Sequence, residues 1–362
     1  MSSLTLKSRV KAYVQSMPAV WGSYWRIKQE LLRIWTLRFF AHDIAGTYRA
    51  MFWVPGSANY RTLSASLLFQ YHKLEKGLVM PGPRRLFGIE PAISVVQHLR
   101  RWREAGHPVS DPIYLGAIET LTAYTAHLRR HGLDPHNLIV PQVAALLGQF
   151  TETAPGLSTP VPLQRDASGA GMAAFSALAQ QRRSVREFLP DPVPQAVIES
   201  AVALAQLSPS ACNRQPCRVY TLTEPELKKA ALLQQNGNRG FGHLAPHVLI
   251  ITANEGGFFD ASERHQPYID GGLFAMSLCF GFVAQGVATC CLNWCVPPRN
   301  DRTVHRLVGI PASERIVMFM AIGYPPPDCK VPRSPRRALA TVLPAVCDQS
   351  AHTGAPSKPT TP

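Results

Sequence analysis

Two short clusters gather the side chains best suited to chemistry. Arg182-Arg183-Ser184-Val185-Arg186-Glu187-Phe188 sets three guanidiniums and a hydroxyl within five residues. The planar fork of arginine bonds anions bidentately, so such a cluster suits a phosphate. About twenty residues on, Ser208-Pro209-Ser210-Ala211-Cys212-Asn213-Arg214-Gln215-Pro216 offers backbone N–H groups and side-chain amides to a polar heterocycle. Taken singly, the first reads equally well as a solvated basic turn and the second as a capping loop.

Other reactive types carry weaker signals. All eight cysteines follow residue 211, none is spaced C-x-x-C, and Cys290, Cys291 and Cys295 match no usual zinc spacing. No metal site is expected. Buried thiols in a reducing compartment, with no secretory signal after Lys7, Arg9 and Lys11, point to a cytoplasmic protein. His243, His247 and His265 are candidate proton donors, but a lone histidine is more often structural.

The elements that must position these clusters lie in the second half of the chain. A helix is expected over Ala173–Gln180. Another starts at Pro194, with Val197, Ile198, Ala201, Val202 and Ala205 on one face. Cys217–Thr223, His247–Ala253 and Ile316–Gly323 read as strands, the last two apolar enough to be central. Gly271–Pro298 carries no formal charge and is long enough to span a bilayer. The break at Gln285-Gly286-Val287-Ala288 favours a buried helix to Ala284, then a turn and a strand.

Residues 1–150 read as helical, with apolar spacing over Ala92–Glu104 and Pro112–Arg130. The first 55 residues mix Trp21, Tyr24, Trp25, Trp35, Phe39 and Phe40 with Arg26, Lys28, Arg33 and Arg38. Packing of these aromatics on the other domain is favoured over peripheral contact with an anionic membrane. Thr151–Met172, rich in Pro, Gly, Ser and Thr, reads as a linker. Residues 346–362 are expected to be a disordered tail. The net charge of +14 implies an anionic partner, yet no motif indicates specific nucleic-acid binding.

Taken together, the clusters resemble the opening of the FMN-dependent nitroreductase family. Later pieces keep the same order: Gly240–Pro246, Asp270-Gly271-Gly272, Gly286–Cys290, Ala321–Pro325, and a basic tail with Lys330, Arg333 and Arg336. The resemblance covers residues 173–345 and leaves the first half unexplained. It implies an α+β, nitroreductase-like FMN-binding fold, a central mixed sheet flanked by helices, preceded by a mostly helical N-terminal region. It implies that Arg182, Arg183 and Ser184 hold the FMN phosphate or ribityl chain, and that Arg186 sits by the pyrimidine edge of the flavin. Lys330, Arg333 and Arg336 look like a second phosphate clamp. Pro209, Ser210, Asn213 and Gln215 belong to a segment that completes the partner's site in a homodimer. Thr289 and Asn293 fall where backbone approaches the flavin ring.

The activity implied is electron transfer from NADH or NADPH, through flavin N5, to a nitro, quinone or other conjugated small-molecule acceptor. No catalytic side chain is assigned, because N5 carries the hydride. A biosynthetic flavin oxidase or dehydrogenase, and a non-enzymatic binding protein on the same fold, are the alternatives. In the extension, Tyr71–Leu78 with Arg84 and Arg85 is a charged segment that reads either as a substrate-reading cap or as a helix end with local ion pairs.

Overall fold

The structure, a computed structural model, describes residues 17–51, 56–81, 86–134, 140–150, 156–163, 169–334 and 336–343. The tail 346–362, Lys7, Arg9, Lys11, Arg84 and Arg85 lie outside them. Among the described residues no helix is long and apolar enough to cross a membrane.

Four strands form one sheet in the order β1-β2-β4-β3: β1 (Cys217–Leu222), β2 (His247–Asn254), β3 (Ala288–Asn293) and β4 (Glu314–Gly323). All three pairings are antiparallel. The expected mixed character reduces to a single parallel bridge, Ser184 to Thr289, on the outer edge of β3. The central strands β2 and β4 are apolar over Val248–Ile251 and Ile316–Gly323 because both of their faces are covered there. Val248, Ile250, Phe319 and Ala321 face one core, with Ala231 and Leu232 of α8 (Pro225–Leu232) and Val304 of α10 (Pro298–Val308). Leu249, Ile251, Met320 and Ile322 face the other, under α7 (Gln195–Ala205) and α9 (Gln266–Val283). The uncharged stretch after Asp270 is therefore a core helix. Gly281 lets α9 cross α7 closely, since a Cβ there would lie 3.0 Å from the Ala201 backbone.

Ahead of this domain come α1 (Pro18–Ala50), α2 (Tyr60–Val79), α3 (Ile89–Glu104), α4 (Pro112–Arg130) and α5 (Val140–Leu147). Helices α2 to α5 enclose their own core around Leu67, Leu74, Leu99, Trp102, Tyr114 and Leu121. Asn59 and Asp111 cap α2 and α4 by accepting from Arg61 N–H and Ile113 N–H. Part of the stretch read as a linker is anchored: Glu119 on α4 accepts from the backbone N–H groups of Gly156, Leu157, Ser158 and Thr159. From Gly169 the chain enters α6 (Ala170–Gln181).

The expected packing of the N-terminal aromatics is corrected. Trp25, Trp35 and Phe40 on α1 are exposed, together with Ile27, Leu31, Ile34, Ile44 and Tyr48. Apolar residues are spread around α1 rather than along one stripe, so no single face can be buried. Cations cover some of the rings, with Lys28 4.5 Å from the Trp25 centroid and Arg38 3.1 Å from that of Trp35. The charged segment of α2 is internally paired: His72 Nδ1 lies 2.9 Å from Glu75, and Lys73 donates to Gln70.

Two neighbouring residues of β4 hold the helical region to the sheet. The Glu314 side chain is fully buried, accepts from Tyr220 Oη at 2.8 Å and Thr252 Oγ1 at 2.7 Å, and pairs with Arg61 of α2. Arg218 stands 3.6 Å away. Arg315 donates to Glu255 and, at the far end of α1, to Asp43. A buried carboxylate that loses one cation is costly. Arg61→Leu should therefore lower stability by roughly 2–3 kcal/mol in urea unfolding, the remaining three donors limiting the loss. A chain starting at Gly169 should be insoluble, because the α2 contact surface opens. Soluble, cooperatively unfolding protein from that truncation would refute the coupling.

Candidate functional site

The arginine cluster follows α6 directly. Arg182 caps that helix, its N–H donating to Leu178 O, and Val185 N–H donates to Thr289 O at 3.0 Å, laying the segment along the β3 edge. Alternation on β3 puts Thr289, Cys291 and Asn293 on one face and Ala288, Cys290 and Leu292 in the core. Thr289 is buried, while Cys291 and Asn293 are exposed. The result is an open strip of strand flanked by guanidiniums. Arg186 lies 5.7 Å from the Phe241 ring. Hydrogen bonds of Arg183 and Arg186 go to the carbonyls of Arg182 and Ser184. Among the described residues none of the three arginines pairs with a carboxylate, which leaves their charge open to an external anion.

The basic tail starts on the same side. Leu189 N–H donates to Tyr324 O at 2.8 Å, so the chain leaves β4 beside the cluster. Lys330, Arg333 and Arg336 beyond it are exposed, and Arg336 donates to Ser334 O. The end of β3 is held from a polar loop that sequence reasoning passed over. Gln235 donates to Asn293 O and Asn236 to Cys295 O, each at 2.8 Å. A cleft of about 510 Å³ opens there, with Asn238, Arg239 and His243 on its wall. The run Gln235-Asn236-Gly237-Asn238-Arg239-Gly240 was the available signal, since amides and glycines so dense mark a shaped loop.

Pro209, Ser210, Asn213 and Gln215 do not join this cluster within one chain. They precede β1, at the opposite edge of the sheet, three strand spacings or roughly 14 Å from β3. Pro209, Ser210 and Gln215 instead border a cleft of about 310 Å³ shared with Tyr60 and Arg61 of α2. The loop is strained: Cys212, Asn213 and Gln215 all have left-handed φ, near 52°, 54° and 50°. Such conformations persist only when the surroundings impose them. Arg214, only 3 % exposed, is the anchor, donating to Glu263 at 2.5 and 3.0 Å and to Gly257 O at 3.0 Å. Asp270 accepts from Ala211 N–H, and burial raises its pKa.

The sequence model of the nitroreductase family matches residues 179–238 and 228–324. Residues 179–324 are a nitroreductase-family domain. That match takes in the arginine cluster, the strained loop, all four strands and the core helix. Iodotyrosine deiodinase of Drosophila melanogaster is 26% identical over 196 residues, 46% of this chain and 67% of the relative. The Nematostella vectensis iodotyrosine deiodinase is 22% identical over 196 residues, 47% and 74%. A Pseudomonas putida 4-nitrobenzoate reductase is 42% identical over 60 residues, 16% and 26%. Among solved structures, a nitroreductase family protein of Streptococcus pneumoniae aligns at 18% identity and TM-score 0.40, covering 46% of this chain and 98% of its own. An iodotyrosine deiodinase solved with FMN and 3-iodo-L-tyrosine aligns at 21% and 0.38, covering 46% and 96%.

Of the candidate histidines in the nitroreductase domain, His247 is a structural residue. It is buried, its Nε2 accepts from Val193 N–H at 3.0 Å, and Nδ1 is an unpartnered buried atom. Burial, then the charge of Lys228, lowers its pKa. The native state thus keeps His247 neutral while the unfolded chain protonates it near pH 6.5. Stability from this site is full above that pH and falls as pH drops toward the native pKa. His247→Gln should flatten the stability profile below about pH 6.5 in urea titrations. An unchanged profile would contradict this assignment.

Proposed function

We propose that the protein is an FMN-dependent oxidoreductase that takes electrons from NADH or NADPH and delivers them to a conjugated small-molecule acceptor. The observation that carries this reading is the trio Arg182, Arg183 and Arg186, without carboxylate partners among the described residues, against the open strip of β3. That donor set fits an organic phosphate joined to a planar ring. Bound there, FMN supplies a two-electron carrier able to take hydride at N5. Arg182 and Ser184 bind the phosphate or ribityl chain, with Lys330, Arg333 or Arg336 closing over it. Arg186 sets positive charge where the reduced ring gathers negative charge. Thr289 and Asn293 line the ring's approach, and no side chain serves as acid or base.

The same reading assembles the site from two copies of the chain. Within one copy the strained loop and the arginine cluster sit at opposite sheet edges, so only a second copy can bring them together. An apolar stripe on α9, Tyr268, Ile269, Leu273 and Met276, is exposed and available for that contact.

A second acceptor class is favoured by the relatives. Proteins named iodotyrosine deiodinase match nearly half the chain, so reductive removal of halogen from an aromatic substrate stands beside reduction of nitro compounds and quinones.

Purified protein should be yellow and release FMN on heating. The Arg182→Ala/Arg186→Ala double variant should stay folded and lose the flavin spectrum; undiminished FMN affinity would sink the site assignment. Stopped-flow bleaching with NADH or NADPH, followed by nitroaromatic, quinone or halophenol, ranks the acceptors. Sedimentation should give a dimer burying more than roughly 2,000 Å²; a flavin-loaded monomer at micromolar concentration would defeat the two-chain site.

A further inference from the structure

Cys279 of α9 and Cys291 of β3 place their sulfurs 3.5 Å apart. Both are free thiols; Cys279 is buried and Cys291 exposed. The contact lies on the open strip of β3, with the Thr289 hydroxyl and the charge of Arg182 acting on the same sulfurs. Cys290, although adjacent in sequence, points into the opposite core and cannot compete. Closing the pair into a bond of about 2.05 Å requires a sulfur shift of about 1.5 Å, within reach of side-chain rotation.

We propose that Cys279 and Cys291 are a redox pair that closes into a reversible disulfide by exchange with a low-molecular-weight disulfide. The pair is prepared for this chemistry. The hydrogen bond from Cys291 is the largest influence on the Cys279 thiol; burial opposes it, and Thr289 and Arg182 assist. The net effect brings Cys279 down to about 7. Cys291, which keeps the shared proton, is pushed up. The couple therefore holds one thiolate near neutral pH, and the thiolate is the nucleophile in exchange.

The steps balance as follows. The shared proton moves to Cys279, and the exposed Cys291 thiolate attacks one sulfur of R–S–S–R. That bond breaks, and one RS⁻ leaves and takes a proton from solvent. Cys279 then loses its proton and attacks the Cys291 sulfur, expelling the second RS⁻. Two protein thiols are oxidised, and the small disulfide is reduced to two RSH. The product ties α9 to β3 beside the arginine cluster.

The test uses the full-length protein freed of FMN, because the flavin site proposed above lies on the same face of β3, with glutathione disulfide, followed by alkylation, chymotryptic digestion and mass spectrometry. Wild type should lose two hydrogens, show a Cys279–Cys291 cross-link and recover with dithiothreitol. Cys279→Ser should instead accumulate a lasting glutathione adduct on Cys291. Cys291→Ser should show neither product at the buried Cys279. Where a serine variant fails to fold, the site of the wild-type cross-link serves, and it should map to Cys279 and Cys291 alone. A persistent adduct on wild-type Cys291, or a cross-link through Cys290 or Cys295, would overturn the proposal.

Discussion

The arrangement depends on a carboxylate kept out of water. Glu314 sits fully buried at the start of the central strand β4, where an ionised acid survives only if donors surround it. Tyr220 and Thr252 supply two from within the domain, Arg218 stands near, and Arg61 arrives from the helical region. The last partner converts a local requirement into a long-range one. Helix α2 is held against the sheet because β4 has a charge that needs it. Once α2 is placed, Phe69 packs edge-on to Phe259 at 4.3 Å, and the same neighbourhood holds Arg214. The strained loop at residues 212–215 thus rests on a chain of contacts beginning at Glu314.

Sequence carried the domain well where burial pattern and element coincide. β2 and β4 were legible because both faces are covered over most of their length, leaving the apolar runs Val248–Ile251 and Ile316–Gly323. The core helix was legible from its lack of charge, and its crossing over α7 explains the glycine at 281. The arginine cluster was easy to place because α6 stops immediately before it. What could not be read was partnership. Glu314 and Arg61 are separated by 253 positions, and neither has a neighbour that marks it as buried. Arg214, inside the recognised motif, had no role of its own in the sequence pattern. It is instead a buried anchor whose partner, Glu263, lies 49 residues away.

The N-terminal aromatics show the reverse failure. Large rings usually report burial, and on α1 that expectation fails because composition was read without angular distribution. Where apolar side chains surround a helix, one packing contact cannot bury them all. The two clusters recognised in the nitroreductase domain show a third limit. They lie near each other in sequence and share one inferred purpose, yet one chain sets them at opposite sheet edges. Sequence order reports what a family site contains, and the fold decides whether a single copy can assemble it.

A Cβ at Gly46 would fall 2.2 Å from the Arg315 guanidinium, so a side chain there would push that group away from Glu255 and Asp43. Glycine at 46 and arginine at 315 therefore constrain each other across the whole length of the chain. In evolutionary terms, the helical extension is not a detachable cassette. A recombination event that exchanged it at the junction near residue 169 would deliver a helix whose register was matched to a different strand. Lineages carrying this architecture are expected to inherit both ends together, with changes at the two positions arising in pairs.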